Sequence, residues 1–260
     1  MRVKSLGFRT DLMLRRLSGA SVVDRGDHLV VRTPQNPAFY WGNFLLLDGP
    51  PAGDEAARWV ETFNTEFPSA GHVAIGIDGV DGATGDIREL LAAGFEVEID
   101  VVLTARQLTG ADACSAVEVR RLSTDTDWAQ AVEVRLATDE SDDPAHVDFV
   151  ERKLAESRAL VEAGHGAYVG AVVDGQVRAA LGIFTDGSGV ARYQNVETHP
   201  DHRRKGLATA LLRSAAGIAL TELGAETLVI VADAEYVAIG LYRGLGFADV
   251  ERQVHLQRAP

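Results

Sequence analysis

The segment Val196-Glu-Thr-His-Pro-Asp-His-Arg-Arg-Lys-Gly-Leu-Ala208 concentrates the residue types best suited to chemistry. Arg203, Arg204 and Lys205 are three adjacent cations, and Gly206 after them has no Cβ to hold a ligand away from the backbone. A strand pattern stops at Pro200 and a helical pattern begins at Gly206. A helix start carries unpaired N–H groups and the positive end of the helix dipole. Cations, glycine and helix start all favour one anion, and a phosphate group fits that description. Small Ala208 and Thr209 leave the first turn open. Neither G-x-x-x-x-G-K-[ST] nor a G-x-G-x-x-G after a strand is present, so the two standard phosphate motifs do not compete. His199 and His202 flank the Pro-Asp turn as possible proton shuttles, without the spacing of a metal site.

Around this turn the pattern alternates strands and helices. After it come a helix over 206–223 capped by Gly224, a strand 228–232, a short helix through Tyr242 and a last strand 249–256. Before it, 117–121 reads as a strand and Thr124 as the N-cap of a helix through Trp128 and Val134. Asp139-Glu-Ser-Asp-Asp143, closed by Pro144, reads as a loop, and 145–163 as a helix ended by Gly164. Strands 168–173 and 176–184 flank Asp174-Gly175, a tight hairpin signal, and a strand 191–198 follows the turn Asp186–Gly189. The stretch Thr104–Ser115, small and polar, reads as a flexible linker. The resulting division is 1–108, a linker 109–116, and 117–260.

The N-terminal part repeats the order. Strands are expected at 28–32 and 43–47, with Pro34 and Pro37 between them. A helix over 54–67 has Ala57, Val60 and Asn64 on one face, with Trp59, Phe63 and Phe67 nearby. A strand 72–77, a short helix 86–93 and an alternating strand 96–104 complete it. Leu90-Leu-Ala-Ala-Gly94-Phe95 and Tyr242-Arg-Gly-Leu-Gly246-Phe247 each precede a strand, which points to a diverged internal duplication.

Composition narrows the class. The chain has 260 residues, 46% hydrophobic and 24% charged, enough for two cored domains. A formal net charge of -13 argues against general nucleic-acid binding and leans toward cationic ligands. Cys114 is the only cysteine, so no intrachain disulfide forms, and its thiol is expected to be inert. No window approaches the roughly 20 apolar residues of a membrane helix, and the N-terminus lacks a signal-peptide run. A cytoplasmic protein without membrane partners is the expectation.

Arg203-x-x-Gly206-x-Ala208 after Val196-Glu-Thr-His-Pro resembles the acetyl-CoA motif of the GNAT superfamily of N-acetyltransferases. Ala238-Ile-Gly-Leu-Tyr242-Arg-Gly-Leu-Gly-Phe247 resembles its second signature, and the resemblance covers about 117–256. It implies a mixed α/β fold, each lobe a largely antiparallel sheet flanked by helices, splayed open beside the phosphate-binding turn. It further implies acetyl-CoA as co-substrate and no metal. The N–H groups of Arg204, Gly206, Ala208 and Thr209 would hold the pyrophosphate within the turn Arg203–Thr209, which includes Lys205 and Leu207. Val196 and Thr198 would pair with the pantetheine arm.

Acyl transfer from a thioester needs a neutral amine and a protonated leaving thiolate. Tyr242 sits where the family places a general acid, and a phenol near pKa 10 keeps its proton at neutral pH. Glu197, beside the implied pantetheine path, is the candidate base, directly or through a water; alternatively it pairs with Arg192 or His199. Glu235 stands where relatives often carry a cofactor-contacting asparagine, a departure that leaves a non-catalytic acyl-CoA sensor open as an alternative, as is an interaction protein of the same fold. The acceptor would be a small-molecule or peptide amine. In the N-terminal part, Asp48-Gly-Pro-Pro-Ala-Gly-Asp-Glu55 replaces the basic turn and Leu90 replaces Tyr242. Prolines lack N–H groups and the carboxylates would repel phosphate, so this GNAT-like lobe is expected to be degenerate. Phe39-Tyr40-Trp41 is expected to pack in its core, the alternative being one wall of a substrate pocket.

Overall fold

Ser5 begins the first helix by accepting the Phe8 amide at 3.3 Å on its hydroxyl. That helix, α1 (Leu6–Leu17), buries Phe8, Leu12 and Met13. Its polar residues Arg9, Thr10, Asp11, Arg15 and Arg16 blur the apolar period, and only the Ser5 cap with Phe8 and Leu12 four apart signals it. The computed structural model describes residues 1–37, 39–110, 117–139 and 143–259. Cys114 and most of the linker 109–116, with 140–142 of the acidic stretch, lie outside the described residues.

After α1 come β1 (Ser21–Asp24), β2 (His28–Arg32), β3 (Phe44–Leu47), α2 (Ala56–Glu66), β4 (Val73–Ile77), α3 (Arg88–Ala92) and β5 (Glu96–Ala105). Then follow β6 (Glu118–Arg121), α4 (Asp125–Asp139), α5 (Pro144–Glu162), β7 (Gly166–Val173), β8 (Gln176–Phe184) and β9 (Val190–Thr198). The chain ends with α6 (Leu207–Thr221), β10 (Thr227–Asp233), α7 (Ile239–Gly244) and β11 (Ala248–Arg258). Among the described residues no helix is long and apolar enough to cross a membrane. Two compact units form: Met1–Leu103 with Val231–Ile239 and Asp249–Pro260, and Thr104–Ile230 with Gly240–Ala248.

In the first unit β1, β2 and β3 are antiparallel, and α2 crosses over to make β4 parallel to β3, with Leu45 opposite Ile75. The last strand, expected within a domain 117–260, instead pairs antiparallel with β4, Val254 opposite Ile77 and Leu256 opposite Ile75. The order in this unit is β1-β2-β3-β4-β11-β5. All five positions of β4 are buried, so both its edges need strand partners to satisfy the backbone. A division at 109–116 therefore does not describe 231–239 or 249–260. On α2 the buried face is Ala56, Trp59 and Phe63, continued by Phe67. Ala57, Val60 and Asn64, expected beside them, line an open cavity of about 580 Å³ with Glu89 and Leu90. Tyr40 and Trp41 pack at the edge of this core, Tyr40 stacked on His72 at 4.1 Å.

The second unit has the order β10-β9-β8-β7-β6, antiparallel except for the parallel pair β9–β10. The Asp174-Gly175 hairpin takes positive φ at both residues, 52° and 76°, as its tight turn requires. At the start of α4, Thr124 Oγ1 accepts the Asp127 amide at 3.1 Å, while Asp127 Oδ2 accepts the amides of Ser123 and Thr124 at 3.0 Å each. Arg120 also reaches Asp127 at 2.6 Å. These bonds, Arg120 first, hold the buried Asp127 carboxyl well below the carboxylate range. Asp127→Ala is expected to cost about 2 kcal/mol, measured by urea unfolding. Because the folded value is depressed, the wild-type advantage holds at neutral pH and disappears on acidification below the usual carboxylate value.

Candidate active site

Tyr168, Gly182 and Gln194 lie opposite one another on β7, β8 and β9, as do Gly170, Ala180 and Glu197 further along. Between these rows β8 advances by two residues and β9 by three. The extra residue is a bulge, in which Asn195 adopts φ 52°. Without it Glu197 would share a face with Tyr193, whose hydroxyl donates to the Leu212 carbonyl on α6 at 2.9 Å. With it Glu197 faces α4, as does Tyr168, whose ring meets Trp128 at 5.1 Å. Gly182 makes room for that ring, since a Cβ there would lie 3.0 Å from it.

Glu197 is 5% exposed. Its carboxylate forms an ion pair with Arg135 of α4, whose Nε also donates to Asp139 Oδ2 at 2.8 Å. His146 of α5 meets the same Asp139 oxygen at 2.9 Å. Burial raises the Glu197 carboxyl to about 7, with Arg135 opposing the rise and Asp139 adding to it. The buried Tyr168 hydroxyl lies beside Asn195 and Glu197; burial and then the Glu197 charge raise it above the usual phenol value. Arg192 and His199, expected as partners of Glu197, are engaged elsewhere. Arg192 Nε donates to the Tyr193 carbonyl at 3.2 Å, and His199 Nδ1 accepts the Asp201 amide at 3.3 Å, capping the short turn Pro200–His202. Arg192 shares the face of Glu197 but lies two rows further along it, and Glu197 is taken instead by Arg135 from α4.

Beyond that turn, Arg203, Arg204 and Lys205 are exposed, with Lys205 Nζ donating to the Asp201 carbonyl at 3.0 Å. Desolvation first, then the charges of Lys205 and Arg178, lower the His202 imidazole value. Arg204 takes φ 65° and Gly206 φ 80°, the left-handed conformation found in turns that direct neighbouring amides toward one anion. Gly206 caps α6, and Ala210 returns a hydrogen bond to its carbonyl at 3.1 Å. Leu207 sends its side chain into the core, 4% exposed, so only its backbone faces the turn; Ala208 and Thr209 are half-buried. The parallel register of β9 with β10 covers Val190–Arg192 against Thr227–Val229, and β9 runs on beyond it through Val196 and Thr198. A basic turn, a helix start and a strand segment extending past its neighbour fit a ligand with a phosphate end and an amide-bearing arm, as acyl-CoA has.

Tyr242 is 3% exposed on α7. Its ring meets Phe247 at 6.4 Å, and Phe247 meets Tyr193 at 6.0 Å. Tyr242 and Glu197 are therefore tied to opposite faces of β9. Gly246 has φ 96°, and a Cβ there would lie 2.8 Å from Thr109 Oγ1. Thr109 donates its amide to the Leu245 carbonyl at 2.9 Å and accepts from Arg213 at 2.6 Å, so this end of the expected flexible linker is tethered.

In the first unit the counterpart turn is closed by its own residues. Glu55 Oε2 accepts the Ala52 amide at 2.8 Å, and Asp86 donates its amide to the Pro51 carbonyl at 3.2 Å. Leu90 is 2% exposed in the apolar core. Glu235 is exposed and donates its amide to Asp233 Oδ1 at 2.8 Å. Asn195, Arg135, Asp139 and His146 did not stand out in the sequence. Only the tolerance of asparagine for positive φ offered a hint of the bulge.

A mixed sheet with a bulged central strand beside a basic helix start defines a GNAT-type α/β fold. Residues 128–247 match the model of the acetyltransferase (GNAT) family, and the chain carries a domain of that family there. No curated protein sequence matches. Among solved structures, a conserved protein of unknown function from Staphylococcus epidermidis is similar at TM-score 0.73 and 12% identity, over 93% of this chain and 94% of that one. A GCN5-related N-acetyltransferase from Kribbella flavida gives 0.65 and 16%, over 98% and 96%. A tandem GNAT protein from the clavulanic acid biosynthesis pathway gives 0.56 and 14%, over 95% and 87%. These likenesses extend the shared fold to both parts of the chain.

Proposed function

We propose that the second unit transfers an acyl group, with acetyl as the first candidate, from acyl-CoA directly to a primary amine in a cytoplasmic setting. The observation that carries this reading is the left-handed basic turn Arg203–Gly206, placed between the bulged strand β9 and the start of α6. The amides of Arg204, Gly206, Ala208 and Thr209 would hold the pyrophosphate, with Arg203 and Lys205 adding charge and Leu207 anchoring the helix. Val196 and Thr198 would hydrogen-bond the pantetheine arm through their backbone. Acyl-CoA supplies the acyl group and a thiolate leaving group, and the protein manages the protons. Glu197 takes the proton lost by the amine as the new C–N bond forms, directly or through one water. Tyr242 gives its proton to the departing sulfur as the C–S bond breaks. The first unit, with its turn closed and Leu90 in the core, takes no part in cofactor binding.

Thiol release from acetyl-CoA across a panel of primary amines tests the activity. Tyr242→Phe is expected to lower kcat about 10²-fold while acetyl-CoA affinity stays within about twofold. Wild-type turnover in that variant would place the acid elsewhere. Acetyl-CoA binding without thiol release for every amine would make the protein a sensor.

A further inference from the structure

We infer that Arg135 is a positioning residue that keeps the buried carboxylate of Glu197 ionised, and that Asp139 limits how strongly it does so. The inference deepens the assignment of Glu197 as base and rests on it for its catalytic meaning. Arg135 and Asp139 are one helical turn apart on α4, which puts them on one face of that helix. A single guanidinium is thereby shared, one nitrogen on Glu197 and Nε on Asp139 at 2.8 Å. His146 from α5 meets the same Oδ2 of Asp139 at 2.9 Å. From β7, Tyr168 faces Glu197, and from β8 its opposite residue is the uncharged Ala180.

The physics assigns opposite roles to the two α4 residues. A carboxyl as buried as Glu197 would hold its proton at neutral pH if left alone. Such a group cannot accept a proton from an amine. A guanidinium stays charged at any working pH and favours the ionised form. Undivided, its pull would make the carboxylate too weak a base, since general-base catalysis works best near the operating pH. Asp139 divides that pull, and burial offsets more of it.

The test labels glutamate side-chain carboxyls with ¹³C in the full-length protein and follows them by NMR against pH. The Glu197 signal is identified by its loss in Glu197→Gln. The wild-type midpoint is expected at about 7. Arg135→Gln should move it up by about one unit or more, Arg135→Lys should leave it near wild type, and Asp139→Asn should move it down. Midpoints that stay put, or that move the same way in Arg135→Gln and Asp139→Asn, overturn the inference. Asp139→Asn retains the cation beside Glu197, so it decides the matter even if Arg135→Gln fails to fold. Thiol release separates this inference from the base assignment. Wild-type turnover in Glu197→Gln, with midpoints shifting as stated, sinks the base and leaves the coupling intact. Lost turnover with unmoved midpoints sinks the coupling alone.

Discussion

Gly206→Glu is expected to abolish the rise in melting temperature that acetyl-CoA gives the wild-type protein. At saturation of about 100 times Kd a ligand stabilises the folded state by about 2.7 kcal/mol. For a chain of this size that corresponds to roughly 5–10 °C. The substitution acts twice on the proposed phosphate site. Gly206 sits at φ 80°, where a side chain costs about 1–2 kcal/mol. The new carboxylate also places negative charge at the start of α6, where the helix dipole and Arg203–Lys205 would favour phosphate. Gly206→Ala separates the two effects, because it adds strain and one methyl without charge. It should lower the ligand-free melting temperature by a few degrees and keep part of the acetyl-CoA shift. An undiminished shift in Gly206→Glu would show that the cofactor binds elsewhere.

The features legible in the sequence are those whose cause lies within a few residues. Asp174-Gly175 makes its hairpin because both residues tolerate positive φ, and Thr124 caps α4 because its hydroxyl sits three residues before an acceptor-hungry amide. The basic turn is legible for the same reason: its cations, its glycine and its helix start are contiguous. What escaped was non-local. The partner of Glu197 is Arg135, 62 residues earlier, and it becomes the partner only because a bulge at Asn195 reverses the facing of the strand's end. Strand alternation read without that bulge turns Glu197 toward Tyr193 and α6. The pairing of β11 with β4 likewise depends on the buried edge of a strand far upstream, which no local pattern in 249–258 records. On α2 both 56-59-63 and 57-60-64 are helically spaced, and only the packed aromatics Trp59 and Phe63 decide between them.

Glu197→Gln should lower kcat/KM by about 10²–10⁴-fold on any amine that the wild type accepts, with acetyl-CoA binding retained. Glutamine keeps the shape of the side chain and leaves Arg135 with Asp139, so the loss reports on the proton acceptor more than on the fold. A base works when deprotonated. The wild-type rate should therefore rise as pH passes upward through about 7, well above the ordinary glutamate range, because burial holds the proton on. The same shift has a stability consequence of fixed sign. A carboxyl whose folded value is raised contributes stability at low pH and loses it as pH climbs from the unfolded value through the folded one. Relative to wild type, Glu197→Gln should therefore gain melting temperature between about pH 5 and pH 8 while its activity stays low. Activity and stability would move in opposite directions across one pH window, which a carboxylate with a purely structural role has no reason to produce. A Glu197→Gln enzyme with wild-type kcat/KM and an unchanged acid limb would move the base to another residue.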